Sequence, residues 1–142
     1  MEISQANEND LDAIVKVNRL FHLDIPDFKW DTPEWVSEKI KGWNYYTIKE
    51  EGNVYGAMCL IPKLRSHLIE TIAVDEDHQK EGIGTSLVEF AKDYAKQQGK
   101  INITVESFLD YNLAGFYESV GFKKIGQGEY RDMPYYKFAM EV

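Results

Sequence analysis

V-D-E-D-H-Q-K-E-G-I-G-T-S-L, Val74 to Leu87, joins an apolar run to a stretch of helical periodicity and contains Gln79-x-x-Gly82-x-Gly84. A helix N-terminus leaves its first amides without intrahelical acceptors and carries the positive end of the helix dipole. Glycines there let the backbone approach phosphate oxygens with no Cβ between them. The layout reads as a cradle holding a pyrophosphate by main chain, walled by Gln79, Lys80, Glu81, Gly82, Ile83, Gly84 and Thr85. A glycine pair before a helix also describes a plain tight turn, so the flanking sequence decides. No Gly-Lys-Ser/Thr follows, which excludes a P-loop. A dinucleotide fingerprint sets its first glycine directly after the strand; here seven residues separate Val74 from Gly82, and Leu87 fills the third glycine's place.

Outward from the loop, Leu68 to Val74 reads as a strand. Gly84 to Gln98 reads as a helix with Leu87, Val88, Phe90, Ala91, Tyr94 and Ala95 at helical spacing and Gly99 as its C′ residue. Upstream, W-N-Y-Y-T-I-K-E and V-Y-G-A-M-C-L-I flank E-G-N as an antiparallel hairpin. Thr32-Pro33-Glu34 supplies an N-cap, a first-turn proline and an acid near the dipole's positive end, with Gly42 as the stop. Glu2 to Gln5 is a short strand, and Asn9 or Asp10 caps a helix striped by Leu11, Ile14, Val15 and Phe21. H-L-D-I-P-D-F-K-W-D, from His22, is a proline-containing loop. Downstream come a strand through Ile101, Ile103 and Val105, and a helix capped by Asp110 that bears Leu113, Phe116, Tyr117 and Val120 and is closed by Gly121. Phe122 to Tyr130 and Met133 to Met140 form a last hairpin around Arg131-Asp132. The order is β-α-α-β-β-β-α-β-α-β-β.

At 142 residues, the chain has room for one domain, residues 1–142, with a sizeable core. No apolar run approaches the ~18 residues that span a bilayer, and the polar, acidic start lacks a signal peptide's regions; a cytoplasmic protein with no membrane partner is the expectation. Cys59, the one cysteine, sits in a buried-strand context and allows neither a disulfide nor a thiolate cluster. His22, His67 and His78 lack metal-ligand spacing, so no metal is expected. A formal net charge of −8 argues against a sequence-independent grip on nucleic acid and suits a basic amine, although acidic surfaces also serve solubility alone.

Two blocks carry a family resemblance: Gln79-x-x-Gly82-x-Gly84 after a strand ending Val74-Asp75, and N-L-A-G-F-Y-E-S-V-G-F from Asn112 to Phe122. Both are similar to motifs of the GNAT superfamily of N-acetyltransferases, and the resemblance is residue-specific from about Glu70 to Phe122. It implies an α/β (α+β) single-domain fold, a mixed central sheet with helices on both faces. It also implies an acetyl-CoA site in which the backbone of Ile72, Ala73 and Val74 pairs with the pantetheine arm.

Transfer to an amine requires a free amine, whereas a lysine-type ammonium has a pKa of ~10.4. Glu70 stands where family members often carry the acid or histidine that removes this proton; Glu106 and His67 are alternatives. Tyr117 occupies the family's tyrosine position near the sulfur and suits protonation of the departing CoA thiolate. The family's asparagine seven residues before that tyrosine is Asp110 here, and Asn112 stands two positions later, so either side chain is a candidate for the pantetheine contact. Phe28, Trp30, Trp35, Trp43, Tyr45 and Tyr46, with Asp24, Asp27 and Asp31 nearby, either line an acceptor pocket for a cation or pack as core. The expected activity is acetyl-CoA-dependent acetylation of a primary amine by direct attack in a ternary complex. The alternative is a non-catalytic acyl-CoA sensor on the same fold. Family habit also admits a homodimer.

Overall fold

The elements follow the sequence periods: β1 (Glu2–Gln5), α1 (Leu11–Asn18), α2 (Pro33–Lys41), β2 (Tyr45–Glu50), β3 (Asn53–Pro62), β4 (Ser66–Val74), α3 (Ile83–Gln97), β5 (Asn102–Phe108), α4 (Ala114–Ser119), β6 (Lys123–Tyr130) and β7 (Met133–Glu141). The computed structural model describes residues 1–142. Its seven-stranded mixed sheet has the order β1-β2-β3-β4-β5-β7-β6. β4 and β5 are parallel, while the β1/β2, β2/β3, β5/β7 and β6/β7 pairs are antiparallel. No helix is long and apolar enough to cross a membrane. Contacts group the chain into two units, Met1–Leu60 with Thr71–Leu87, and Ile61–Glu70 with Val88–Val142.

In the first unit, local bonds set the helix ends. Thr32 Oγ1 accepts from Trp35 N ahead of Pro33, as the sequence predicts. At α1 Asp10, one of the two expected residues, holds the N-cap position, but its side chain makes no capping bond to the helix. Asn7 accepts from Asn9 N, and Asp10 reciprocates by accepting from Asn7 N, because a 3-10 turn over Glu8–Asp10 precedes the helix. α1 therefore ends at Asn18 and buries Ile14, Val15 and Val17, leaving Phe21 in a following 3-10 turn. Gly42 is also not the left-handed stop of α2: its φ is −82°, and Trp43 takes φ 63°. Trp43 N donates to Ile40 O and Asn44 N to Lys39 O, the paired bonds of a Schellman ending. Gly42 serves close approach instead, since a Cβ there would stand 2.6 Å from Asn44 Oδ1.

The core of this unit sets Ile14 and Val36 with Tyr45, Met58 and Cys59, all at most 1% exposed. Full burial of an aliphatic side chain of this size contributes about 1.5–3 kcal/mol. Gly56 of β3 is a second close approach: its Cβ would meet Ile83 Cγ2 at 3.0 Å and Ile48 Cγ2 at 3.1 Å. Only a glycine lets the first residue of α3 settle onto that strand.

In the second unit, α3 ends as the sequence predicts. Gly99, φ 73°, donates to Lys96 O, and Lys100 N donates to Ala95 O. α4 ends the same way at Gly121, φ 112°, whose neighbour Phe122 donates to Tyr117 O. Asp110, however, caps nothing. Leu109–Tyr111 form a 3-10 turn, Asn112 adopts φ 54°, and α4 starts after Leu113 with no side-chain cap. Arg131 and Asp132, both at positive φ, turn β6 into β7, and a bulge between Lys124 and Gly126 displaces Ile125 from the ladder. The β4/β5 pairing runs from Ser66↔Asn102 to Ile69↔Val105 and stops. β5 continues to Phe108 along β7.

Candidate functional site

After Val74 the chain is folded back by main-chain bonds: Asp75 N donates to Tyr55 O at 2.8 Å, and His78 N to Asp75 O at 2.9 Å. The His78 ring stacks on Tyr55 with centroids 3.6 Å apart and planes 14° apart, fixing the turn against β3. Gln79 Nε2 donates back to Val74 O at 3.3 Å. The side chain that opens the motif thus closes the loop on the end of β4. Lys80 (φ 67°) and Gly82 (φ 83°) then take left-handed conformations, which for a residue with a Cβ cost roughly 1–2 kcal/mol.

Ser86 N donates to Gly82 O at 3.0 Å, the first i to i−4 bond of α3. The amides of Ile83, Gly84 and Thr85 precede that bond and so belong to the set a helix start leaves for an outside acceptor. No protein atom lies within 4 Å of a Cβ built on Gly82, so the approach over it is open. Ile83, 2% exposed, anchors the helix start through the Gly56 contact. Lys80, Glu81 and Gly82 are exposed, and Gly84 and Thr85 are half-buried. The loop presents backbone donors on an anchored turn, a geometry suited to an anion such as a pyrophosphate.

Ile72 and Val74 are half-buried on β4 and Ala73 is buried. Glu70, half-buried, is the residue at which β4 has left its β5 pairing. In the second unit Tyr117 is 3% exposed among Phe116, Phe122 and Phe138, with ring centroids at 5.3, 5.6 and 5.4 Å. Burial pushes its phenol above the usual range, so it stays protonated at neutral pH. Asp110 and Asn112 are both exposed. His67, buried on β4 against Tyr94, has an Nδ1 without a hydrogen-bond partner; burial, then Lys100, hold its pKa below the usual value.

The aromatic group divides. Tyr45 and Tyr46 are core, Trp35 packs edge-on to Tyr45 at 6.1 Å, and Trp43 stands 69% exposed on its own turn. Phe28 meets Trp30 at 5.1 Å and His22 at 5.0 Å, both edge-on. Sequence reading set His22 aside with the other histidines as a failed zinc set. The structure pairs it with the buried Asp31, Nδ1 to Oδ2 at 2.6 Å. That pairing bridges a loop with no periodicity; the only signal in the sequence was a histidine and an aspartate bounding an aromatic, proline-containing segment.

These features agree with comparison to known proteins. Human N-acetyltransferase 8B is 29% identical over 103 residues, 68% of this chain and 44% of the relative. The chain spans less than half the length of the curated relatives it matches. Among solved structures, Ard1 from Thermoplasma volcanium superposes with a TM-score of 0.84 at 18% identity, covering 99% of this chain and 97% of that one. An aminoglycoside 6'-N-acetyltransferase complexed with coenzyme A gives 0.76 at 18% identity, covering 99% and 97%. At such identities the likeness is one of fold. The model of the acetyltransferase (GNAT) domain matches residues 41–124, from the last residue of α2 into β6 and so across the whole phosphate loop. The chain belongs to the GNAT acetyltransferase family.

Proposed function

We propose that this chain transfers the acetyl group of acetyl-CoA to a primary amine, with a small cationic amine favoured, by direct attack in a ternary complex. The observation that carries the reading is the start of α3: a left-handed turn at Lys80 and Gly82 delivers three successive amides ahead of the first helical bond. That donor set fits the pyrophosphate of CoA, and coenzyme A is the ligand in the aminoglycoside enzyme's structure. The edge of β4 from Ile72 to Val74 would take the pantetheine arm as an added strand, since its pairing with β5 stops at Ile69. Asp110 and Asn112 are the side chains offered to that arm. The reading takes residues 1–142 as one acetyltransferase domain and requires no metal.

In the reaction the amine nitrogen attacks the thioester carbonyl, the N–C bond forms, the C–S bond breaks and the sulfur takes a proton. Tyr117, protonated at neutral pH, is the donor assigned to the sulfur, and Glu70 the carboxylate assigned to take the ammonium's proton. The charge of −8 supports a cationic acceptor. Two measurements test the reading. Calorimetry should show acetyl-CoA and CoA binding, with NADH silent; no CoA binding would remove its basis. Tyr117→Phe should lower turnover about 10²-fold or more with CoA affinity unchanged. A protein that binds acetyl-CoA tightly and acetylates no amine from a broad panel would instead be an acyl-CoA sensor.

A further inference from the structure

His22 and Asp31 stand nine residues apart across the loop and meet at 2.6 Å. The Asp31 side chain is 7% exposed and that of His22 is 50% exposed. A carboxylate can only accept at this contact, so it fixes the Nδ1–H tautomer and leaves the lone pair on Nε2, at the ring's other side. Phe28, edge-on to the imidazole, holds the ring plane.

The loop is tied to the strand that leads into the cradle. Asn18 Nδ2 donates to Trp30 O at 2.9 Å, immediately before Asp31, and to Tyr45 Oη at 2.8 Å. Tyr45 Oη meets Thr71 Oγ1 of β4 at 2.8 Å. Asn18, 4% exposed, keeps its Oδ1 without a hydrogen-bond partner. The Trp30 carbonyl requires the amide's nitrogen on its own side, so this orphan is a true acceptor that calls for an N–H or O–H donor.

We propose that the His22–Asp31 pair, and not Glu70, receives the proton of the acceptor ammonium, an inference that otherwise rests on the acetyltransferase reading above. The ammonium gives one proton to Nε2, producing a free amine and an imidazolium held by the Asp31 carboxylate. The amine lone pair attacks the thioester carbon; the N–C bond forms and the C–S bond breaks. The amine's second proton ends on the CoA sulfur, and the imidazolium returns its proton to water. The charged groups of the segment are Arg19, Asp24, Asp27, Lys29 and Asp31, with Asp31 in direct contact with His22; α1 and β2 contribute the uncharged Asn18 amide and Tyr45 phenol.

The test is the pH profile of kcat/KM with spermidine, benzylamine and an alanyl peptide as amines, on wild type and His22→Gln, with acetyl-CoA affinity measured beside it. The wild type should show an acid limb. His22→Gln should lose that limb and about 10²-fold of kcat/KM near neutrality, with acetyl-CoA affinity within about twofold. An unchanged limb in His22→Gln overturns the proposal while the acetyltransferase reading stands. A wild type that acetylates none of the amines overturns both. His22→Ala with added imidazole covers the case of a poorly folded variant: restored rate supports the dyad, and no response to imidazole counts against it.

Discussion

The proposed phosphate cradle and the His22 loop are held by different proportions of main-chain and side-chain bonds. Between Val74 and Ser86 most bonds are main-chain, Asp75 to Tyr55, His78 to Asp75 and Ser86 to Gly82, with the Gln79 side chain and the His78 ring adding to them. Between Asn18 and Thr32 the main-chain bonds are short-range, such as His22 N to Arg19 O and Thr32 N to Lys29 O, and the longer ties are side chains, Asn18 on Trp30 and His22 on Asp31. A main-chain site tolerates most side-chain changes and fails where backbone conformation or clearance is lost. A side-chain site fails residue by residue, and so can be retuned residue by residue. This division suits a transferase, whose donor is constant and whose acceptor varies.

The strongest attempt to break that contrast is Asn18→Leu. It leaves the Trp30 carbonyl and the Tyr45 hydroxyl without their donor and should cost about 2–3 kcal/mol, read from the denaturant midpoint. CoA affinity of the folded fraction should hold, and a parallel fall would show that loop and cradle are not independent. Gly56→Ala is the reciprocal case. The added methyl presses on Ile83 and Ile48, so stability should drop by about 1–3 kcal/mol, and CoA affinity should drop with it. An unchanged affinity would mean that α3's start does not depend on this clearance.

A finer comparison lies inside the cradle. Gly82→Ala meets no neighbour yet must hold φ 83°, which predicts roughly 1–2 kcal/mol of lost CoA binding. Lys80→Ala should move affinity less, by about threefold at most, because the main chain carries the grip. A larger effect from Lys80 than from Gly82 would reverse the assignment. The smallest effect concerns neither region. His67 has a lowered pKa in the folded state, so below about pH 6.5 the unfolded chain binds the proton the folded one refuses. The stability it contributes is whole above that pH and shrinks as pH falls toward the folded value. His67→Gln should flatten that slope in acid unfolding curves.

The same contrast explains what the sequence made legible. Features built from neighbours in the chain were readable: the Thr32-Pro33 start, the stops at Gly99 and Gly121, and the Gln79 to Gly84 spacing. Misreadings came where a short 3-10 turn shifted the frame. Asn7, not Asn9 or Asp10, supplies the first side-chain cap, and the turn at Leu109–Tyr111 removed Asp110 from α4. Trp43 escaped because left-handed φ is read from glycine, and Gly42 stood one residue away. His22 with Asp31 escaped because no period links the two ends of an irregular loop. The proposed donor half of the site is thus local in sequence, and the proposed acceptor half is tertiary.

The bulge in β6 has a consequence for the molecule in a crowded solution. β6 is the outermost strand at its end of the sheet, the kind of edge on which a neighbouring chain can add itself. Between Lys124 and Gly126 the ladder slips a register, Ile125 is 64% exposed, and the adjacent lysines are exposed as well. An incoming strand would meet a break in the hydrogen-bond spacing and two like charges before it could pair along the length. The β7 side of β6 remains fully used by the fold, while its outer side is a poor template for self-association.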